Sequence, residues 1–362
     1  MLRYPRLAAI LSVASTAMVI GACGGSQPSS APPPAATEST PGVHIYVSDE
    51  TGGNVLVVDP DKGTLVQKIA VGKRPRGIKL SVDGKQLYVA LSGSPIAGPG
   101  VDESKLPPAD RSADGIGVVD LANHTVVRKL KSGQDPESFA LSPDGRNIFV
   151  SNEETSEMSV LDVATGDVTT RVKVGEEPEG VTVRPDGKEV YVTSEGDNAV
   201  FAIETTTNKV VAKMETAARP RAVVFTPDGA TAFVSNENGG AITVIDAGKH
   251  AVVATIKLTA PPGATVQPRP MGLTLSTDAK QLFVSLGRAK SVAVIDAATH
   301  EVQRTMDDIG ARPWGIALSR DGKKLYTANG PSGDVSVVDI ESGKVDRRIA
   351  VGGSPWGIAV AP

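Results

Sequence analysis

Hydrophobic and polar residues alternate in short runs over most of the chain, and this period of two is typical of half-buried β-strands. From residue 45 onward, three landmarks recur among the runs. An aromatic residue begins one run, namely Tyr46, Tyr88, Phe149, Tyr191, Phe233, Phe283 and Tyr326. An acidic residue ends the next, namely Asp59, Asp120, Asp162, Glu204, Asp246, Asp296 and Asp339. A proline stands in a later loop, namely Pro75, Pro136, Pro178, Pro220, Pro270, Pro313 and Pro355. The prolines are 61, 42, 42, 50, 43 and 42 residues apart, so the pattern predicts seven copies of one unit.

Each unit contains four β-type runs. In the third unit these are Ile148 to Ser151, Met158 to Asp162, Val168 to Val174 and Gly180 to Val183. Asp-Gly pairs at residues 83–84, 144–145, 186–187, 228–229 and 321–322 predict tight hairpins, and Asp278-Ala279 departs from that pattern. Four short antiparallel strands in a repeat of this length predict an all-β protein, a seven-bladed β-propeller.

The two ends of the repeat region predict how the ring closes. Val43 to Val47 corresponds to the second strand of a unit, whereas Trp356 to Val360 corresponds to the innermost strand. We therefore expect the N- and C-terminal segments to pair and complete one blade, which would remove the last free sheet edge.

Several repeat motifs resemble the YVTN-repeat (YncE-like) propeller family. They are visible at residues 190–193 (VYVT), 159–162 (SVLD) and 352–357 (GGSPWG), and the resemblance covers residues 44–362. The loop with Gln267-Pro268-Arg269-Pro270 looks most like a subgroup associated with pyrroloquinoline quinone (PQQ)-dependent alcohol catabolism. No cofactor is expected, because the catalytic quinoprotein propellers have eight blades and a Trp-bearing repeat motif that is not found here.

Residues 1–22 are typical of a lipoprotein signal peptide. Arg3 and Arg6 precede an apolar stretch from Leu7 to Ile20 that is short for a membrane-spanning helix. Residues 19–23 (VIGAC) resemble a bacterial lipobox, which implies cleavage before Cys23 and lipidation of that residue. The alternative is plain secretion with a chance cysteine. Residues 23–42, rich in Gly, Ser, Pro and Ala, predict a flexible tether before the propeller of residues 43–362, so we expect an extracytoplasmic, membrane-anchored protein.

Composition changes this picture little. The chain has 362 residues, 37 Lys+Arg and 41 Asp+Glu, and removal of residues 1–22 leaves a net charge of −6. A nucleic-acid partner is therefore not expected. The single cysteine excludes an intrachain disulfide, and no metal-ligating or catalytic residue is assigned. His124, His250 and His300 share a turn position with Gly and Asn residues, so we expect them in turns with positive φ rather than at a metal.

Two departures from the repeat indicate where a site lies. Insertions of about 19 and about 8 residues fall within 92–114 and 259–268. In a four-stranded blade, the loop between strands two and three and the loop to the next blade open on one face. Both insertions are therefore expected to lie on that face, where we expect a small ligand or a partner protein to bind.

The loop prolines point to the same face. The residue after each proline is expected at the mouth of the central channel: Arg76, Glu137, Glu179, Arg221, Met271, Trp314 and Trp356. The residues just before the prolines are Arg74, Asp135, Glu177, Arg219, Arg269, Arg312 and Ser354. Carboxylates from neighbouring loops, Asp49, Glu153, Glu195 and Glu237, lie nearby in the predicted ring. The pattern predicts a binding mouth with an aromatic wall opposite mixed charge, suited to a small polar or anionic ligand. The alternative is that Arg and Glu pair with each other while the Trp rings plug the funnel.

Three functional hypotheses follow. The first is a lipid-anchored, non-enzymatic binding or accessory propeller, associated with PQQ-dependent alcohol oxidation. The second is a lactonase-like hydrolase, in which Glu137, Glu179, Arg76 and Arg221 polarise a lactone and activate water. The third, single-stranded nucleic-acid binding, is opposed by the net charge.

Overall fold

The computed structural model describes residues 43–96, 102, 105–260 and 265–361. They form seven antiparallel sheets of four strands each, so the predicted seven-bladed all-β propeller is confirmed. Within these ranges, no helix is long and apolar enough to cross a membrane. The predicted signal peptide (1–22), the lipidated Cys23 and the tether (23–42) lie outside the described residues.

The strands follow the chain in blade order, starting from the innermost strand of blade 1. Blade 1 contains β4 (Pro75–Leu80), β5 (Gln86–Leu91), β6 (Gly115–Asp120) and β7 (Thr125–Leu130). Blade 2 contains β8 (Pro136–Leu141), β9 (Asn147–Asn152), β10 (Glu157–Asp162) and β11 (Val168–Lys173). Blade 3 contains β12 (Pro178–Val183), β13 (Glu189–Ser194), β14 (Ala199–Glu204) and β15 (Lys209–Glu215).

The remaining blades repeat this order. Blade 4 contains β16 (Pro220–Phe225), β17 (Thr231–Asn236), β18 (Ala241–Asp246) and β19 (Ala251–Lys257). Blade 5 contains β20 (Leu273–Leu275), β21 (Gln281–Ser285), β22 (Val292–Asp296) and β23 (Val302–Met306). Blade 6 contains β24 (Pro313–Leu318), β25 (Lys324–Asn329), β26 (Asp334–Asp339) and β27 (Val345–Ala350). Blade 7 combines β28 (Pro355–Ala361) with β1 (His44–Asp49), β2 (Asn54–Asp59) and β3 (Thr64–Ala70). Single 3₁₀ turns occupy Glu153–Thr155 and Gly287–Ala289.

Blade 7 closes the ring as expected. β28 pairs antiparallel with β1, so that Ile45 faces Val360 and Tyr46 faces Ala359. The backbone N–H of Glu50 also donates to the carbonyl of Ser354 at 3.0 Å. Both segments therefore share one sheet, and neither leaves a free edge in the ring.

The core lies between the blades. Each hydrophobic cluster combines two neighbouring blades, as where Tyr46 and Val57 of blade 7 meet Leu87 and Val89 of blade 1. Tyr191, Phe233 and Phe283 are fully buried, which confirms that the repeated aromatic position serves packing between blades.

The turns on the face opposite the loop prolines also have the conformations that the sequence predicts. His124, His250 and His300 adopt φ of 53°, 48° and 65°, so their predicted place in left-handed turns is confirmed. The repeated acids accept backbone N–H groups, as Asp59 does from Asp61 and Lys62 at 3.0 and 2.8 Å. Ala279 takes the left-handed conformation of the missing hairpin glycine, with φ of 57°.

The innermost strands converge closely on the axis. A Cβ atom on Gly180 would lie 2.3 Å from the carbonyl oxygen of Arg221, and one on Gly272 would lie 2.4 Å from that of Trp314. Small residues at this position are therefore a steric requirement of the ring.

The two insertions open on one face, as predicted. The first connects β5 to β6, and the second connects β19 to the innermost strand β20. In an antiparallel blade these connections share an end with the start of every innermost strand. In the first insertion, Asp110 forms an ion pair with Lys73 Nζ at 2.7 Å. Residues 97–101, 103–104 and 261–264 lie outside the described chain.

Candidate functional site

The residues that follow the loop prolines come together around the axis, because each occupies the first positions of an innermost strand. Five of the seven line an axial cavity in which water can fill about 170 Å³: Glu179, Arg221, Met271, Trp314 and Trp356. The other two, Arg76 and Glu137, are buried beside it. The structure therefore places Trp314 and Trp356 at the axial opening, as expected.

One group of charges, which we call the Arg76 cluster, consists of Arg74, Arg76, Asp135, Glu137 and Glu153. The guanidinium of Arg76 is 1% exposed and pairs with both Asp135 and Glu137. It also donates to the carbonyl of Pro136 at 2.9 Å and lies 3.5 Å from Glu153. Arg74 lies 3.6 Å from Asp135.

The charges of the Arg76 cluster mostly pair with one another. Burial alone would raise the pKa of Asp135, but Arg76 and the hydroxyl of Ser92, 2.5 Å away, hold that pKa below its ordinary value. Asp135 is therefore a carboxylate at neutral pH, and several partners hold the Arg76 guanidinium in place. This arrangement supports a structural role for Arg76 and Glu137, which is the alternative that the sequence left open.

A second group, the Arg221 cluster, consists of Glu179, Glu195, Arg219, Arg221 and Glu237. Arg221 pairs with Glu195, lies 3.0 Å from Glu179 and lies 3.8 Å from Glu237. Arg219 approaches Glu195 at 2.7 Å and Glu237 at 3.4 Å. Three carboxylates thus share two guanidinium groups at the edge of the cavity.

Glu179 differs from the other carboxylates of its cluster, because it alone among them lines the cavity. Burial raises its pKa well above the ordinary glutamate value, and Arg221 only partly opposes this effect. The nearby carboxylates of Glu195 and Glu153 raise the pKa further. A carboxyl group with a raised pKa at a cavity surface can both accept and donate a proton at pH values around that raised pKa.

The aromatic part of the mouth is a stacked pair. The ring centroids of Trp314 and Trp356 are 5.9 Å apart, with 22° between their planes. The guanidinium groups of Arg312 and Arg221 lie 4.3 and 5.2 Å from the centroid of Trp314. The expected aromatic wall opposite mixed charge is therefore wrong in this detail, since two of the arginines lie on the wall itself.

Arg269 and Arg312 approach the site from the loops. Arg269 donates to the side-chain carbonyl of Asn238 at 2.5 Å, and Arg312 meets Glu237 at 3.9 Å. Burial lowers the pKa of Arg312. Among the described residues Glu237 is its nearest carboxylate, and Glu237 opposes this effect only in part. Met271 is 3% exposed, and its backbone carbonyl accepts the hydroxyl of Ser235 at 2.5 Å.

Backbone strain at the mouth was not evident from the sequence. The residue before the proline adopts positive φ in five blades: Arg74 (44°), Asp135 (55°), Glu177 (49°), Arg219 (59°) and Arg312 (53°). Each such residue costs on the order of 1 kcal/mol. None is a glycine or asparagine, so the sequence does not reveal this conformation.

Comparison with known proteins agrees with the repeat pattern. A family model described as a YNCE-like beta-propeller matches residues 273–361, and one described as a lactonase, 7-bladed beta-propeller, matches residues 176–253. The chain is a seven-bladed β-propeller, and its residues 273–361 match the YNCE-like model. The lactonase match spans the whole Arg221 cluster and none of the Arg76 cluster.

Solved structures similar to this propeller show the same fold. The periplasmic gluconolactonase PpgL of Pseudomonas aeruginosa is 21% identical with a TM-score of 0.70, over 88% of this chain and 99% of that one. Hydrazine synthase of Kuenenia stuttgartiensis is 21% identical with a TM-score of 0.64, over 78% and 88% of the two chains. The antigen Lp49 of Leptospira interrogans is 31% identical over 108 residues, which are 30% of this chain and 23% of the length of Lp49.

Proposed function

We propose that this propeller is a lactone hydrolase that acts at the channel mouth. The observation that carries the proposal is Glu179, a carboxyl group of raised pKa that faces the axial cavity beside Arg221. The lactonase family match over residues 176–253 and the gluconolactonase fold relative support the same assignment. The substrate class is a small cyclic ester of a hydroxy acid.

In this proposal Glu179 acts first as the general base and then as the general acid. As a carboxylate it accepts a proton from water, whose oxygen forms a bond to the lactone carbonyl carbon. The ring C–O bond then breaks, and the Glu179 carboxylic acid returns the proton to the leaving ring oxygen. One water is consumed, and the product is an open hydroxy acid.

The neighbouring cations stabilise the charge that develops on the lactone carbonyl oxygen. Arg221 lies at the cavity beside Glu179, and its direct ion pair with Glu195 keeps the guanidinium in place. Arg312 is less tightly paired and lies on Trp314, so it is available to a negative group of the substrate. Trp314 supplies a flat apolar surface for the ring.

The test measures hydrolysis of D-glucono-1,5-lactone and γ-butyrolactone above the spontaneous rate. We expect Glu179→Gln to reduce kcat/KM by about a hundredfold, because proton transfer by a positioned carboxyl contributes about 10²–10⁴. Glu301→Gln, at an exposed turn on the opposite face, is the matched control. Equal rates for the wild type and Glu179→Gln, or no rate above the spontaneous one, would contradict the proposal.

A second candidate, a non-enzymatic binding scaffold, is favoured by the Trp314–Trp356 stack. The stacked rings with Arg312 above them form a recognition surface that needs no proton transfer. Ligand binding that survives in Glu179→Gln, without turnover in the wild type, would select this candidate. Its association with PQQ-dependent alcohol oxidation stays a prediction, which co-purification with a quinoprotein dehydrogenase would test.

We also propose that the protein is exported and anchored to a membrane through lipid on Cys23. The lipobox-like residues 19–23 and the only cysteine of the chain support this proposal. Metabolic labelling with a palmitate analogue tests it. We expect labelled protein in the membrane fraction, and loss of the label in Cys23→Ser.

A further inference from the structure

Deeper in the axial cavity, a single lysine breaks the symmetry of the ring. Lys79 of β4 lies opposite Tyr88 in the strand register and lines the cavity. The residues at the same register position of the other blades, each opposite the repeated aromatic residue, are uncharged: Ala140, Thr182, Val224, Thr274, Ala317 and Ala359. A cation therefore stands at one of seven equivalent positions.

The ammonium group of Lys79 has no protein partner. Within the described chain, no hydrogen bond or ion pair of its Nζ is formed, although most carboxylates of the channel mouth are paired. Its side chain is exposed to solvent within the channel, which residues of all seven innermost strands line. This position inside the ring lowers the pKa of Lys79, because it removes part of the water that hydrates the ammonium.

The walls around Lys79 are of mixed polarity. Parts of Ile78, Val181, Val223, Leu273, Ile316 and Ile358 line the cavity, together with the polar backbone of the glycines that follow the mouth residues. The hydroxyl of Thr182 is already engaged, since it donates to the carbonyl of Val223 at 2.7 Å. The charged lining residues are Lys79, Glu179 and Arg221, so the lining carries excess positive charge.

We propose that the axial channel is a binding site for a small monocarboxylate, whose charge pairs with Lys79 and whose short hydrocarbon body contacts the apolar part of the channel wall. A cation without a partner among the described residues favours an anion in this cavity, and the apolar part of the wall accommodates a short hydrocarbon chain. The site lies below the mouth, and it does not depend on lactone hydrolysis.

Butyrate is the probe, with butylammonium and butanol as size-matched controls. We expect saturation-transfer NMR on the intact protein to show butyrate binding, with a Kd about tenfold weaker in Lys79→Met. Lys79→Arg retains the charge and should retain most of the affinity. Lys85→Met, at an exposed hairpin lysine, is the matched control and should bind butyrate like the wild type.

A second measurement needs no variant. Brief acetylation with acetic anhydride, mapped by mass spectrometry, should label Lys79 readily, and butyrate should protect Lys79 but not Lys85. Absence of butyrate binding at millimolar concentrations would overturn the proposal. Equal affinity of Lys79→Met, equal binding of butylammonium, or labelling of Lys79 that butyrate leaves unchanged would overturn it as well.

Discussion

The guanidinium of Arg312 lies over the indole of Trp314, 4.3 Å from the ring centroid, and Trp314 lines the axial cavity. Trp314 and Trp356 are the two tryptophans of the chain, and they stack on each other. Intrinsic tryptophan fluorescence therefore reports on the candidate site alone. This relationship makes several properties of the mouth measurable without an added label.

Removal of the Arg312 charge should affect anionic substrates selectively. We expect Arg312→Met to raise KM for 6-phosphoglucono-1,5-lactone about tenfold with little change in kcat, because an interaction present in both ground and transition states is lost. KM for uncharged glucono-1,5-lactone should change little. Steady-state kinetics and quenching of tryptophan fluorescence by substrate measure both effects. Arg320→Met, in the exposed hairpin of the same blade, is the control, and an equal effect of both variants would contradict the assignment.

The Arg76 cluster should contribute stability rather than activity. Arg76→Met leaves Asp135 and Glu137 buried without their main partner, and breaking a buried ion pair in this way costs about 3–5 kcal/mol. Arg146→Met removes an exposed pair with Asp144 at 3.7 Å and should change the free energy of unfolding by less than about 0.5 kcal/mol. Urea denaturation measures both. A loss of turnover without loss of stability in Arg76→Met would assign the cluster to the site instead.

Glu179 should make stability depend on pH in a defined direction. Its pKa is higher in the folded protein, so between about pH 4.3, the ordinary glutamate value, and that raised value the folded state retains a proton that the unfolded chain releases. The free energy of unfolding therefore falls as the pH rises through this window. Glu179→Gln should flatten the decrease, as measured by urea unfolding from about pH 4 to about pH 8. An unchanged pH profile in the variant would show that Glu179 titrates normally.

The close approach at Gly180 should be intolerant of a single methyl group. Gly180→Ala would place Cβ 2.3 Å from the Arg221 carbonyl oxygen, and we expect a loss of about 1–3 kcal/mol. In Gly248→Ala the nearest atom, a carboxylate oxygen of Asp246, is 3.5 Å away, so this variant should be neutral or slightly stabilised. Thermal unfolding compares the two. Similar melting temperatures would mean that the innermost strands can move apart freely.

The fold was predictable because every blade repeats the same local rules. The aromatic position, the acid that caps a turn and the small residue beside the axis each recur seven times, so one exception such as Ala279 did not obscure the pattern. Ring closure by β28 and β1 followed from which strand of the unit stands at each end. Repetition thus compensates for the weak signal of any single short strand.

The candidate site was predictable in position but not in pairing. The sequence placed Arg76 and Arg221 in equivalent positions. Both pair with buried carboxylates, yet Arg221 lines the cavity and Arg76 does not. That difference depends on side-chain packing and desolvation, which residue type does not encode. Lys79 does not stand out within its own repeat. Only an alignment of all seven repeats shows it as the one charged residue at its register position.

Blade 7 combines β28 with β1, β2 and β3, which lie far apart in the chain, and this has a consequence for biosynthesis. Residues 355–361 supply the strand that β1 needs, and the ribosome makes β1 about three hundred residues earlier. Until that strand emerges, the nascent chain exposes the unpaired edge of β1. The hydrophobic interfaces of blade 7 with blades 1 and 6 are also incomplete. The ring can therefore become complete only after residues 355–361 have been made, and a holding chaperone would be most valuable just before that moment.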